Sequence, residues 1–204
     1  MTVQRYSFRE RICHWLTGAA YCYCLTTGLA FYSPWLFWMA IALGGGPVSR
    51  FWHPFIGLVF LGAAIWMHGL WRSDMSITQV DRKWLDNVGN YATNKDEAVP
   101  PQDRFNAGQK LFYWAMFYGA LLLLISGLVL WFPERIPVGM RWIRGVAILL
   151  HESAALITIG AFITHVYMGI FVVPGSVKAI VNGDVSADWA RTHHRLWFDR
   201  ITGR

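Results

Sequence analysis

AILLHESAALITIGAFITHVYMGIFV, residues 147–172, decides how this chain is read. It exceeds the roughly 20 apolar residues needed to cross a bilayer, yet it carries His151, Glu152 and His165. The two histidines are fourteen residues apart. At about 100° per residue they lie within roughly 40° of one helix face, and at 1.5 Å per residue about 21 Å apart along it. One face with two levels suits two stacked metal centres in a membrane. Histidine is costly in that setting and by default marks function.

The rest of the chain agrees with a membrane setting. Of 204 residues, 55% are hydrophobic and only 15% charged, against about 25% charged in an ordinary soluble domain. Four windows reach spanning length, about 14–33, 53–71, 109–132 and 147–172. The expected fold is therefore an all-α membrane protein, a bundle of four transmembrane helices forming a single domain over 1–204, with a polar loop at 72–108 and a tail at 175–204. The first window is too long for the apolar region of a signal peptide and lacks a small-residue cleavage site, so it is expected to stay as an anchor. With four spans, fourteen of the 18 Lys and Arg fall on one side. The positive-inside rule then puts both termini and the 72–108 loop in the cytoplasm. The net charge of +6 follows from that topology and calls for no nucleic acid.

Local signals fill in the connections. Trp35 to Leu43 is apolar but too short to cross, so it is expected in the outer interface, where Trp is favoured. The second span is expected to open at His53-Pro54, because proline in a first helical turn costs no hydrogen bond. In the loop, Asp81 to Tyr91 reads as a short helix before the Pro100-Pro101 break, forming a cap with little core of its own. The tail reads as partly helical, with His193-His194 as polar surface. Cys13, Cys22 and Cys24 lie in or beside the first span as small buried residues. No Cys-x-x-Cys-His and no zinc or iron–sulfur spacing occurs, so haem attached through cysteine is not indicated.

Chain direction sorts the histidines into levels. The first span runs outward and puts His14 inside; the second starts outside and puts His53 there. The fourth runs inward, so His151 is outer and His165 inner. His53 can then meet His151, and His14 can meet His165. Two neutral imidazoles per iron make a closed haem suited to electron transfer, with each ring's other N–H oriented by a backbone carbonyl or water. His68, on the second span, competes with His14 for the inner level on spacing alone. An internal echo, Thr27-Gly28-Leu29 and Ser126-Gly127-Leu128, places Gly28 and Gly127 where a side chain would collide with a flat macrocycle. Arg50, Arg141 and Arg144 stand near the outer boundary as partners for haem propionates, and Glu152 as a boundary carboxylate.

These motifs together resemble the gamma subunit, a cytochrome b, of membrane-bound respiratory formate dehydrogenases of the formate dehydrogenase-N type. The stretches that carry the resemblance are Glu10-Arg11-Ile12-Cys13-His14-Trp15, Arg50-Phe51-Trp52-His53-Pro54-Phe55-Ile56-Gly57, Phe105-Asn106-Ala107-Gly108-Gln109-Lys110 and Leu149-Leu150-His151. His165-Val166-Tyr167-Met168 and Trp189-Ala190-Arg191-Thr192-His193-His194 complete it, in order along nearly the whole chain. The resemblance implies two haems b, the outer held by His53 and His151, the inner by His14 and His165, and so favours His14 over His68. It further implies that Asn106, Gly108 and Gln109 line a quinone pocket beside the inner haem, with menaquinone or ubiquinone as electron acceptor. Pro174, where a lysine usually precedes Gly-Ser, and Glu152, where a small or hydroxyl residue is usual, depart from the pattern.

The function so implied is that of a multi-pass subunit of the bacterial cytoplasmic (inner) membrane. It carries electrons from an iron–sulfur (beta) subunit on the periplasmic side through two haems b to quinone reduced on the cytoplasmic side. A molybdenum or tungsten catalytic (alpha) subunit would oxidise formate, since nothing in this chain looks able to. The alternatives are a cytochrome b serving a hydrogenase or a thiosulfate or polysulfide reductase, and, in a different class, a haem-free transporter or structural anchor.

Overall fold

The computed structural model describes residues 1–93, 95 and 98–203. Along the chain run β1 (Thr2–Gln4), α1 (Phe8–Tyr32), α2 (Trp38–Ala42), α3 (Gly46–Trp71), α4 (Gln79–Asp86), α5 (Val88–Ala92), α6 (Ala107–Trp131) and α7 (Trp142–Tyr167). They are followed by α8 (Ser176–Asn182), β2 (Asp184–Ser186), α9 (Ala187–His193) and α10 (Arg195–Thr202). Among the described residues, α1, α3, α6 and α7 reach 25 or 26 residues. Among the described residues three stretches, Gly46–Asp74, Ala107–Trp131 and Val138–Val172, are apolar enough as well as long enough to cross a membrane. α1 matches them in length but carries more hydroxyls. Thr17, Thr26 and Thr27 each donate to the carbonyl four residues back, which satisfies those groups within the helix itself.

Several helix starts are written in the sequence. Ser7 and Glu10 cap one another's backbone N–H groups at the start of α1 (3.4 and 2.7 Å), as Thr78 and Asp81 do at α4 (3.4 and 2.7 Å) and Asn106 and Gln109 at α6 (2.9 and 3.0 Å). Each is a reciprocal capping box that satisfies two otherwise orphaned donors. α3 departs from expectation by opening at Gly46, not at His53. Pro47 fills its first turn, whereas Pro54 lies inside the helix, where its missing N–H leaves the Arg50 carbonyl without the usual partner. His53 is thus about 10 Å in from the helix start. The helix expected over Asp81 to Tyr91 is two, α4 and α5, parted at Asn87.

Two compact units emerge, Met1–Ile12 with Gly69–Ala115 and Ala161–Arg204, and Cys13–His68 with Met116–Gly160. The first contains a two-stranded antiparallel sheet pairing Thr2 with Ser186, Val3 with Val185 and Gln4 with Asp184. An all-α reading misses it, because three-residue strands carry too little alternation to be read. Its core is aromatic. Tyr6, Trp71 and Phe105 pack with ring centroids 6.0, 6.3 and 5.1 Å apart, and Met75, Trp84, Trp197 and Phe198 are buried.

A polar network threads the same unit. Glu10 Oε1 accepts from Trp71 Nε1 and Arg104 Nη2, both at 2.6 Å, while Arg104 Nη1 reaches Asp74 at 3.0 Å. Arg5 Nη2 donates to the Arg104 carbonyl and lies 2.9 Å from His194 Nε2. His194 Nδ1 donates to the Asp103 carbonyl at 2.7 Å. Loop and tail therefore share a real core, against the expectation of little. His194, expected as polar surface, is 2% exposed. Burial and the Arg5 guanidinium hold its pKa well below the ordinary value despite the Asp103 carbonyl. Burial alone would raise the Glu10 carboxyl, but the Ser7 N–H, Trp71 and Arg104 outweigh it and hold Glu10 below its usual range. Burial is likewise outweighed at Asp81 by Lys110, which donates to it at 2.8 Å, and by Thr78.

The second unit is packed through small residues. A Cβ on Gly119 would lie 2.5 Å from Thr158 Cγ2, so only glycine lets these parts of α6 and α7 approach as they do. Tyr21 packs against Phe60 at 5.5 Å on the other pair of helices.

Candidate metal centre

Within the second unit, His53 of α3 and His151 of α7 face each other with ring centroids 6.3 Å apart. Two imidazoles bonded to one metal at about 2.0–2.1 Å have centroids roughly 6 Å apart, since each centroid stands about 1 Å behind its nitrogen. The pair fits that separation. Each ring is tied through Nδ1 to a hydroxyl, His53 to Thr27 Oγ1 at 2.7 Å and His151 to Ser126 Oγ at 3.0 Å. Nε2 is thereby left to each ring for a ligand.

A glycine lies against each ring. A Cβ on Gly28 would lie 3.7 Å from His53 Cε1, and one on Gly127 would lie 3.3 Å from His151 Cε1. The two glycines named by the sequence echo thus each abut one ring of the pair. Phe31 meets His53 edge-on at 5.7 Å, and lines a cavity of about 450 Å³ together with Ala30, Pro34, Phe37 and Arg50. Arg50, three residues before His53, supplies the positive charge a carboxylate-bearing cofactor needs. Among the described residues no group of three or more His, Cys, Asp or Glu gathers, whereas a structural zinc site takes four such ligands. The residues present fit a haem.

The hydroxyls are what the sequence reading missed. It took Thr27-Gly28-Leu29 and Ser126-Gly127-Leu128 for their glycines and expected a carbonyl or water behind each ring. The residue before each glycine does that work instead. A hydroxyl directly preceding a glycine, repeated on two helices, is the signal that the sequence carries.

The other named residues lie as follows. His14, in the second unit, meets Trp15 edge-on at 5.3 Å. His68, in the same unit, stacks on Phe117 at 4.5 Å and 18°. His165, in the first unit, stacks on Phe112 at 4.2 Å and 5°, near-parallel. Three residues after it, α7 widens into a π-helical turn over Met168–Val172, a distortion frequent at functional sites. Asn106, 3% exposed, has its amide committed. Oδ1 accepts from Gln109 N, and Nδ2 donates to the Tyr91 hydroxyl at 3.1 Å. Gln109 Oε1 caps Asn106 N, so the Gln109 amide nitrogen is the group of this motif that faces no capping duty. Gly108 makes room for Trp84, whose ring a Cβ there would meet at 3.1 Å.

Comparison with known proteins accords with this geometry. Residues 5–183 match the family described as prokaryotic cytochrome b561. The chain is 32% identical over 200 residues to the formate dehydrogenase cytochrome b556(fdo) subunit of Escherichia coli K12, covering 98% of this chain and 93% of that subunit. It is 29% identical to the nitrate-inducible formate dehydrogenase cytochrome b556(Fdn) subunit of the same strain, covering 98% and 91%. It is 29% identical to the formate dehydrogenase cytochrome b556 subunit of Haemophilus influenzae, covering 95% and 81%. A family match over most of the chain, three helices able to cross a membrane and a facing histidine pair converge on one conclusion: this chain is an integral membrane protein belonging to the prokaryotic cytochrome b561 family.

Proposed function

We propose that this chain is the di-haem cytochrome b subunit of a respiratory formate dehydrogenase of the bacterial inner membrane. In this reading it accepts electrons from an iron–sulfur subunit on the periplasmic side and delivers them to menaquinone or ubiquinone on the cytoplasmic side. A separate molybdenum or tungsten subunit oxidises formate. The observation that carries the proposal is the His53–His151 pair, spaced for one metal and flanked by Gly28 and Gly127. The named relatives, each a formate dehydrogenase subunit, support the choice of complex.

Haem b, when bound, supplies a one-electron carrier. The chain's own groups do the rest. His53 and His151 would hold the outer haem, with Gly28 and Gly127 against the two rings and Arg50 three residues before His53 as a positive charge for its carboxylates. His14 and His165 would hold the inner haem, an assignment that rests on chain direction and on family resemblance alone. α1 crosses as the fourth span, with both termini cytoplasmic as the distribution of Lys and Arg requires.

At the cytoplasmic level, Gln109 and Phe112 lie one turn apart on α6, and Phe112 carries the His165 ring. The Gln109 amide nitrogen donates to a quinone carbonyl there, while Asn106 and Gly108 shape the pocket by fixing the helix start and seating Trp84. Electron delivery inward with proton uptake from the cytoplasm charges the membrane. The test is spectroscopic. In membranes containing the whole complex, formate reduces b-type haem and an added quinone reoxidises it. Haem that hydrogen reduces, or that thiosulfate or polysulfide reoxidises, while formate leaves it unchanged would overturn the assignment of the complex.

A further inference from the structure

Thr27 and Ser126 stand in the same relation to the two outer ligands, from different helices. Thr27 Oγ1 lies 2.8 Å from the Tyr23 carbonyl and 3.2 Å from that of Cys24. Ser126 Oγ lies 2.7 Å from the Leu122 carbonyl and 3.3 Å from that of Leu123. A carbonyl only accepts, so each hydroxyl spends its single proton on its own helix. What faces the imidazole is then a lone pair. His53 Nδ1, at 2.7 Å, and His151 Nδ1, at 3.0 Å, must each be the donor.

We infer that Thr27 and Ser126 are positioning residues that lock both outer ligands as Nδ1–H tautomers, with the Nε2 lone pair turned to the iron. The inference rests on the haem reading of the His53–His151 pair and goes beyond it. Without the hydroxyls each ring is free to carry its proton on Nε2, where it cannot ligate. A neutral hydroxyl also draws on the Nδ1 proton less than a carboxylate would. The ligands thus stay neutral imidazoles, with donor strength raised only modestly. Thr27 is fully buried and Ser126 is 2% exposed, so water does not substitute for either.

The test uses the full complex carrying Thr27→Val, Thr27→Ser or Ser126→Ala, with His53→Ala identifying which spectral component is the outer haem. Thr27→Val and Ser126→Ala are expected to weaken retention of that haem about tenfold. In the haem that remains, its potential rises and its low-spin electron paramagnetic resonance signal changes, while the other haem is unaltered. The potential rises because a ligand whose N–H is unsupported donates less to the ferric state. Thr27→Ser restores the unsubstituted values. Unchanged potential and signal in both Thr27→Val and Ser126→Ala overturn the inference and leave the haem reading intact. Where Thr27→Val loses the haem altogether, Thr27→Ser decides: retention at the unsubstituted potential supports the role, and equal loss overturns it. Retention of both haems by His53→Ala overturns the haem reading and the inference together.

Discussion

The His53 and His151 rings face one another at 6.3 Å, and each is held from behind by a hydroxyl on a different helix. Because one metal between them needs both donors, the two histidines are expected to act as a unit. His53→Ala and His151→Ala should each remove the same haem, leaving one per chain. The double variant should lose no more than either single one. Pyridine haemochrome quantification of the purified protein makes the measurement; loss of different components by the two single variants would break the pairing.

For the inner level, His14→Ala is expected to abolish the second haem and quinone reduction, whereas His68→Ala retains both. His68 stacks on Phe117 much as His165 stacks on Phe112, so the choice of His14 over His68 rests on the family resemblance. Redox-difference spectra and quinone reductase assays on the same membranes check this. The reverse pattern would assign the inner haem to His68.

Gln109→Leu is expected to slow quinone reduction about tenfold, the worth of one lost hydrogen bond of roughly 1.5 kcal/mol, while leaving both haems reducible by formate. Asn106→Ala should act differently, loosening the start of α6 by about 1 kcal/mol through loss of its cap. Quinone kinetics beside amide exchange at residues 107–110 separates the two effects.

The approach of His53 to His151 was legible from chain direction, because a membrane fixes the level of each residue once the spans are ordered; their role as ligands is the proposal made above. Gly28 and Gly127 were singled out by their repetition. The Thr27 and Ser126 roles were not legible, since spacing along a helix does not tell which hydroxyl turns toward a neighbouring ring. The first unit was read poorly. Its sheet and aromatic core are assembled from residues far apart in sequence, Tyr6 with Phe105 and Arg5 with His194, and no local periodicity marks such contacts. The early start of α3 was hidden because Pro54 imitates a helix opening that Pro47 supplies.

The buried His194 makes the first unit sensitive to pH. The folded protein keeps this ring neutral, whereas in the unfolded chain it takes up a proton near pH 6.5. Below that value the unfolded state binds more protons, so stability falls as pH is lowered from about 7 to 5. Glu10 and Asp81, held below their ordinary range, keep their contribution in that window and lose it only at lower pH. Amide exchange in β1, β2, α9 and α10 is expected to quicken as pH falls from 7 to 5, after correction for intrinsic rates. His194→Gln should flatten that dependence. An equally steep dependence in the variant would place the sensitivity elsewhere.

Whether two haems reside in this chain, one of them between His53 and His151, is read from the reduced-minus-oxidised spectrum and haem content of the purified, unbleached protein. Expected are b-type bands and two haems per chain, falling to one in His53→Ala. A protein without a Soret band, or one whose haem content is indifferent to His53 and His151, would contradict that expectation.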